Sequence, residues 1–121
     1  MKLGLITGML DEASCLDDIP KDARPSIRCS GSVSANAYAH AKDLISDNCD
    51  GLISFGMAGG LSPDLEPGDI VISSGVISKN GTWNANISWA DALVEILIPE
   101  IKIVSRGRVF GSDRAITTPA E

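Results

Sequence analysis

The chain is poor in the side chains from which many catalytic and metal centres are built. Its 121 residues include one histidine, three cysteines, one tyrosine and two each of tryptophan and phenylalanine. A single histidine, His40, leaves little material for a histidine-rich metal centre or a Ser-His-Asp triad. It lies off the apolar stripe of its predicted helix, so we expect it at the surface. The cysteines Cys15, Cys29 and Cys49 are odd in number and lack metal-ligand spacing, which predicts three reduced, partly buried thiols.

Positive charge and long apolar runs are also scarce. Ten Lys and Arg residues stand against sixteen Asp and Glu residues, for a net charge of -6. Because nucleic-acid binding depends on clustered basic side chains that contact phosphates, no nucleic-acid partner is expected. No apolar run approaches the roughly 20 residues of a membrane helix, and the first residues lack the form of a signal peptide. We therefore expect a cytoplasmic protein with no membrane span.

The apolar residues that are present alternate between strand-like and helical spacing. Strands are predicted at residues 2–7, 27–30, 52–55, 70–77 and 101–110. A short helical or irregular stretch is predicted at residues 10–16, and helices are predicted from an N-cap at Ser32 or Ser34 to residue 46 and at residues 83–98. Strands interleaved with helices are typical of an α/β fold, and parallel strands need cover on both faces. The sequence therefore predicts a three-layer α/β/α architecture around a twisted, mostly parallel central sheet.

A glycine-rich loop follows the strand predicted at residues 52–55. Gly56, Gly59 and Gly60 come directly after this strand. In α/β proteins, ligands bind at the carboxyl ends of the strands. Glycine there lets backbone N–H groups approach a ligand closely. The loop is therefore a candidate floor for a small-molecule site, although tight turn geometry alone also explains such glycines.

The last four residues have the pattern that begins a helix. Thr118 is a hydroxyl N-cap, Pro119 suits the first helical position, and Glu121 can reach back to the cap N–H. We therefore expect a further helix to begin here, in a chain shortened from a longer protein; a frayed tail is the alternative.

Several stretches, in this order, resemble the purine nucleoside phosphorylase and nucleosidase superfamily. They are residues 4–9 with Glu12, residues 29–31 before a helix, residues 55–61, residues 67–73, and residues 111–121. The chain looks most similar to hopanoid-associated phosphorylases and methylthioadenosine/S-adenosylhomocysteine nucleosidases. The resemblance implies that residues 1–121 are the N-terminal portion of a single nucleoside phosphorylase-like domain, incomplete at its C-terminus.

The activity that the resemblance implies is cleavage of the N-glycosidic bond of a purine, adenosine-like nucleoside. This reaction passes through an oxocarbenium-like sugar and needs a nucleophile at C1′. Glu12 falls where similar nucleosidases have the carboxylate that orients and deprotonates the attacking water. We expect burial to raise the pKa of Glu12 toward the working pH. The alternative interpretation is a solvated acid beside Asp11.

The resemblance also implies the residues that surround the substrate. Hexameric phosphorylases of the superfamily grip phosphate with an arginine and a hydroxyl residue, where this chain has Ser54 and Met57. Losing the bidentate guanidinium favours water over phosphate as the nucleophile, with phosphate kept as an alternative co-substrate. The candidate substrate-binding residues are Gly8, Met9, Met57, Ala58 and Gly59. The candidates for a phosphate or other anion are Ser30 and Gly31.

The remaining implications concern partners and completeness. No metal and no organic cofactor is implied, and a homo-oligomer is expected. The family's ribose-binding Met-Glu pair and its leaving-group aspartate come from a later part of the fold, so little turnover is expected from this chain alone. Two other functions stay open: a non-catalytic nucleoside-binding or oligomerising α/β module, and a flavodoxin-like nucleotide binder. The central expectation is that Glu12 lies beside the glycine bend after residues 52–55, as one wall of a purine nucleoside cleft.

Overall fold

The computed structural model describes residues 1–100 and 104–111 of the chain. The predicted helix start at 118–121 and the first residues of the strand predicted at 101–110 lie outside these ranges. The chain divides into two compact units, Met1–Ala58 and Gly59–Glu121. Each unit has its own three-stranded sheet.

The first unit is a parallel sheet with two helices. Its elements are β1 (Leu3–Thr7), α1 (Leu10–Ser14), β2 (Ser26–Cys29), α2 (Ser34–Ser46) and β3 (Gly51–Ser54). The strand order is β2-β1-β3, and β1 pairs in parallel with both neighbours. Because all three strands run the same way, their carboxyl ends meet at one edge of the sheet, where the loops after β1, β2 and β3 begin.

Helix α2 packs on this sheet through Leu44, which is fully buried. The Leu44 side chain lies over Gly4 of β1, with Cδ1 only 3.0 Å from the position of a Cβ at that glycine. His40 lies four residues before Leu44, so it shares the packed side of the helix. It is half-buried, and its buried Nδ1 atom has no hydrogen-bond partner among the residues that the structure describes. The prediction of a surface histidine is therefore wrong.

The start of α2 also differs from the prediction. Its N-cap is Val33, and no side chain caps the helix. Ser32 instead adopts a left-handed backbone conformation, with φ of 62°. Its hydroxyl donates to the Gly8 carbonyl at 3.4 Å, so this serine joins the β1–α1 loop rather than the helix.

The second unit combines a hairpin, a helix and a parallel pair. Its elements are β4 (Ile70–Ser78), β5 (Gly81–Asn84), α3 (Ile87–Leu97) and β6 (Val104–Gly111). Strand β4 pairs antiparallel with β5 and parallel with β6. The helix predicted from residue 83 begins later, because the turn at 79–80 returns the chain along β4 and pairs Trp83 with Val76. Helix α3 begins after Asn86, whose side-chain oxygen accepts from the Trp89 N–H at 3.0 Å.

The α/β class and the mostly parallel pairing are confirmed, since three of the four strand pairings in residues 1–100 and 104–111 are parallel. The strands form two sheets, and a single domain over residues 1–121 stays a prediction.

All three cysteines are free, as predicted, but Cys15 is exposed rather than partly buried. Among the helices described in residues 1–100, none is long and apolar enough to cross a membrane.

Candidate functional site

The carboxyl edge of the first sheet is tied together by backbone hydrogen bonds on both sides of β1. The Ile6 carbonyl accepts from the Phe55 N–H at 3.0 Å, and the Thr7 carbonyl accepts from the Ser30 N–H at 2.9 Å. The loops that follow the three strands therefore begin from fixed positions. These are the loops that contain the candidate residues.

Glu12 lies at this edge and is buried, with 6% of its surface exposed. It is the third residue of α1, and its side chain reaches back to the start of the helix. Its Oε1 atom accepts from the Gly8 and Met9 N–H groups, each at 2.9 Å. Its Oε2 atom accepts from the Met57 N–H at 2.6 Å, across 45 residues of sequence. The expected proximity of Glu12 to the glycine bend is confirmed, and the solvated acid is wrong.

These hydrogen bonds shift the pKa of Glu12 in the direction opposite to the one expected from its burial. The Met57 N–H lowers the pKa of the carboxyl group most; burial raises it, and the Met9 and Gly8 N–H groups lower it further. The net effect is a pKa below the ordinary value of 4.5. The prediction of a raised pKa is therefore wrong, because three donors to the carboxylate outweigh its desolvation.

Gly56 gives the carboxylate its place at the bend. A Cβ at this position would lie 2.6 Å from Cδ and 2.7 Å from Oε1 of Glu12. Any side chain at residue 56 would thus occupy the space of the carboxyl group. The first glycine of the loop is required by close packing of the protein on itself.

An open cleft of about 290 Å³ lies at the turn formed by Gly8 and Met9, whose N–H groups bind the Glu12 carboxylate. Its lining consists of Gly8, Met9, Leu10, Asp11, Cys29, Gly31 and Ser32. Large apolar side chains at this edge are unusually open: Met9 is 41% exposed and Leu10 is 76% exposed. The cleft therefore combines apolar side chains with backbone groups and one nearby acid, Asp11.

The candidate substrate-binding residues do not all line this cleft. Gly8 and Met9 line it and also hold Glu12, whereas Met57 reaches Glu12 through its backbone and leaves its side chain 74% exposed. Ala58 is exposed at the end of the first unit, and Gly59 begins the second unit. The substrate-binding role of these residues stays a prediction.

The candidate anion residues lie on the loop after β2. Gly31 lines the cleft with φ of 66°, and Ser30 is buried, with its carbonyl accepting from the Asn36 side chain at 3.1 Å. Asp11 lines the same cleft, and a carboxylate disfavours a bound anion. The anion role of Ser30 and Gly31 also stays a prediction.

Two features of the site were missed in the sequence. One is the set of backbone N–H donors to Glu12; the other is Thr7, a buried residue whose hydroxyl donates to the Met9 carbonyl at 3.3 Å. A glutamate at the third position of a helix commonly reaches back to the N-cap N–H, and this signal was available in Met9 to Glu12. The donation from Met57 has no such local signal.

Within residues 1–100 and 104–111, no group of three or more His, Cys, Asp or Glu side chains could hold a metal ion. The fold and the site define an α/β protein with a buried carboxylate at the carboxyl edge of a parallel sheet. A family model described as the phosphorylase superfamily matches residues 4–100. The chain therefore belongs to the phosphorylase superfamily. No curated protein matches it.

Proposed function

We propose that this chain forms part of a site that cleaves the N-glycosidic bond of a purine, adenosine-like nucleoside, with water as the nucleophile and Glu12 as the residue that holds it. The single observation that supports this is the buried carboxylate held by three backbone N–H groups beside an open cleft. Gly8 and Met9 would then contact the sugar, and the loop from Met57 would contact the substrate. As part of the same proposal, the protein forms a homo-oligomer, as expected from the sequence.

The hydrogen bonds of Glu12 leave room for one more donor. An ionised carboxylate offers about four acceptor positions on its two oxygens. Gly8 and Met9 occupy two on Oε1, and Met57 occupies one on Oε2. One position on Oε2 thus remains for a water molecule, whose oxygen would be oriented by this bond.

The lowered pKa of Glu12 favours an orienting and electrostatic role. At neutral pH the group is ionised, so it accepts a hydrogen bond from water and places a negative charge near the developing oxocarbenium ion. A carboxylate with a low pKa is a weak base. Full proton transfer from the water would therefore come late, when the attack on C1′ has already made the water acidic.

Water is favoured over phosphate on electrostatic grounds. The ionised Glu12 and the neighbouring Asp11 both disfavour a doubly charged anion in the adjoining cleft. Ser54, at the carboxyl end of β3, supplies no positive charge. Water carries no charge and meets no such repulsion.

A second candidate function is a non-catalytic nucleoside-binding module. It is favoured by the fact that the bond from Met9 to Glu12 also completes a helix cap, a purely structural role for a carboxylate. In that case the cleft would bind a nucleoside without cleaving it.

The experiment is release of free base from adenosine, methylthioadenosine or inosine in H₂¹⁸O, with and without phosphate. Because little turnover is expected from this chain alone, we expect only slow release, which occurs without phosphate, places ¹⁸O at C1 of the released sugar and is lost in Glu12→Gln. Release that requires phosphate would contradict a water nucleophile. Saturable binding without any release would favour the module.

A further inference from the structure

We propose that Thr7 is a positioning residue of this site: its hydroxyl holds the Met9 carbonyl and thereby fixes the turn whose N–H groups bind Glu12. The inference that this matters for catalysis rests on the proposed function. The inference that Thr7 controls the carboxylate does not.

The first step is that Thr7 is itself immobile. It is the last residue of β1, and its carbonyl accepts from the Ser30 N–H at 2.9 Å. The preceding carbonyl, that of Ile6, accepts from Phe55 on the other side. Only 1% of the Thr7 surface is exposed, and a β-branched side chain has few rotamers. Its hydroxyl is therefore presented from a fixed point.

The second step is that this hydroxyl reaches the turn between β1 and α1. Thr7 Oγ1 donates to the Met9 carbonyl at 3.3 Å, and the same carbonyl accepts from the Ala13 N–H at 3.2 Å. Met9 is thus held through its carbonyl by the strand and by the first turn of the helix. Its own N–H is left to point at Glu12.

The third step is that the turn and the carboxylate form one connected network. The Gly8 and Met9 N–H groups both donate to Oε1 of Glu12, and the Gly8 carbonyl accepts from Ser32. If the Met9 carbonyl loses its bond to Thr7, the turn gains freedom, and both donations to Oε1 weaken. A weaker set of donors stabilises the charged carboxylate less.

A packing role alone would not select threonine here. Valine has the same shape and a high preference for strands, so it would fill the space at residue 7 equally well. A buried hydroxyl is costly unless it is hydrogen-bonded, and Met9 is the partner that Thr7 has. The hydroxyl is therefore the informative part of this side chain.

The test measures the pKa of the Glu12 carboxyl group by ¹³C NMR titration in the full chain. We expect Thr7→Val to raise it by about half a unit to one unit, and Thr7→Ser, which keeps the hydroxyl, to leave it near the wild-type value. Thr82→Val, at an exposed strand position of the second unit, is the matched control and should leave it unchanged. An unchanged Glu12 pKa in folded Thr7→Val would overturn the proposal.

Two further measurements separate the effect of the hydroxyl from misfolding, and failure of this proposal from failure of the proposed function. If Thr7→Val does not fold, the comparison of Thr7→Ser with Thr7→Ala isolates the hydroxyl, and equal Glu12 pKa values in that pair would overturn the proposal. In the base-release assay, we expect Thr7→Val to lower kcat/KM about tenfold, because the turn that Thr7 holds both binds Glu12 and contacts the sugar. A shifted Glu12 pKa in a chain that neither binds adenosine nor releases base would support the positioning role while counting against the proposed function.

Discussion

At the scale of single residues, the chemistry of this site depends on how a buried negative charge is stabilised. Glu12 is removed from water, which alone would favour its neutral form. Three backbone N–H groups restore the stabilisation that water would have given. The result is a carboxylate that stays ionised and keeps a fixed orientation, which suits a group that orients a nucleophile.

The pH dependence of stability tests this description of Glu12. Because the folded-state pKa lies below the ordinary value of 4.5, the group stabilises the fold fully above that pH. The stabilisation is lost as the pH falls through the folded-state pKa. We expect Glu12→Gln to unfold at lower denaturant concentration than wild type at pH 7. The difference between the two denaturant midpoints should become smaller toward pH 3. A difference between the midpoints that stays constant or grows on acidification would contradict the lowered pKa.

The close packing of Gly56 on the carboxylate gives a second prediction. Gly56→Ala places a methyl group 2.6 Å from Glu12 Cδ, so the two must move apart. Overpacking of this kind costs about 1–3 kcal/mol of unfolding free energy, which denaturant titration measures. Gly59→Ala is the matched control, because a Cβ there meets no heavy atom of the described residues within 4 Å. Equal stability of the two variants would show that the bend does not confine the carboxylate.

What the sequence could predict at this scale was the proximity of Glu12 to the bend, through the resemblance of residues 4–9 and 55–61 to a known family. The sign of the pKa change could not be predicted in this way. It depends on where backbone N–H groups point, and every residue type except proline has such a group.

At the scale of elements, the position of the site depends on how α2 packs against β1. The helix lies on the first sheet through Leu44, and the absence of a side chain at Gly4 lets it approach closely. Because β3 follows α2 directly, this packing also sets where β3 pairs with β1. The bend after β3 therefore reaches Glu12 only if α2 is packed on the sheet.

Truncation of the buried leucine tests the role of this packing. Leu44→Ala should lower the unfolding free energy by about 2–5 kcal/mol, because it leaves a cavity between helix and sheet. The neighbouring Ile45 is 60% exposed on the same helix. We expect Ile45→Ala to change stability by only about 0.5 kcal/mol in the same denaturant titration. Similar losses in both variants would mean that α2 is not anchored through Leu44.

The bounds of helices and strands were predicted well where the sequence has one hydrophobic pattern, and poorly where it fits both a strand and a helix. Strands β1 to β4 were found close to their predicted positions, since each is a short apolar run that ends at polar or glycine residues. Strand β5 was missed because the helix was predicted to begin at Trp83, directly after the turn, whereas the hairpin pairs these residues with β4 as a strand. Ser32 was misassigned as a cap because its left-handed backbone cannot be read from residue type.

At the scale of the whole molecule, the contacts of Glu12 lie within the unit Met1–Ala58. Membership of the phosphorylase superfamily covers residues 4–100 and so includes this site completely. The net charge of -6 agrees with a ligand that is not strongly anionic. The central proposal is therefore that the edge of the first sheet binds a nucleoside at a site organised around Glu12.

Titration of the full chain with adenosine, followed by NMR at the Glu12 carboxyl carbon and at the Gly8, Met9 and Met57 amides, tests this claim most directly. We predict that all four signals shift together and saturate at one ligand concentration, because the nucleoside meets the network at a single place. Adenosine that binds while leaving these signals unmoved, or that fails to bind saturably, would contradict the account.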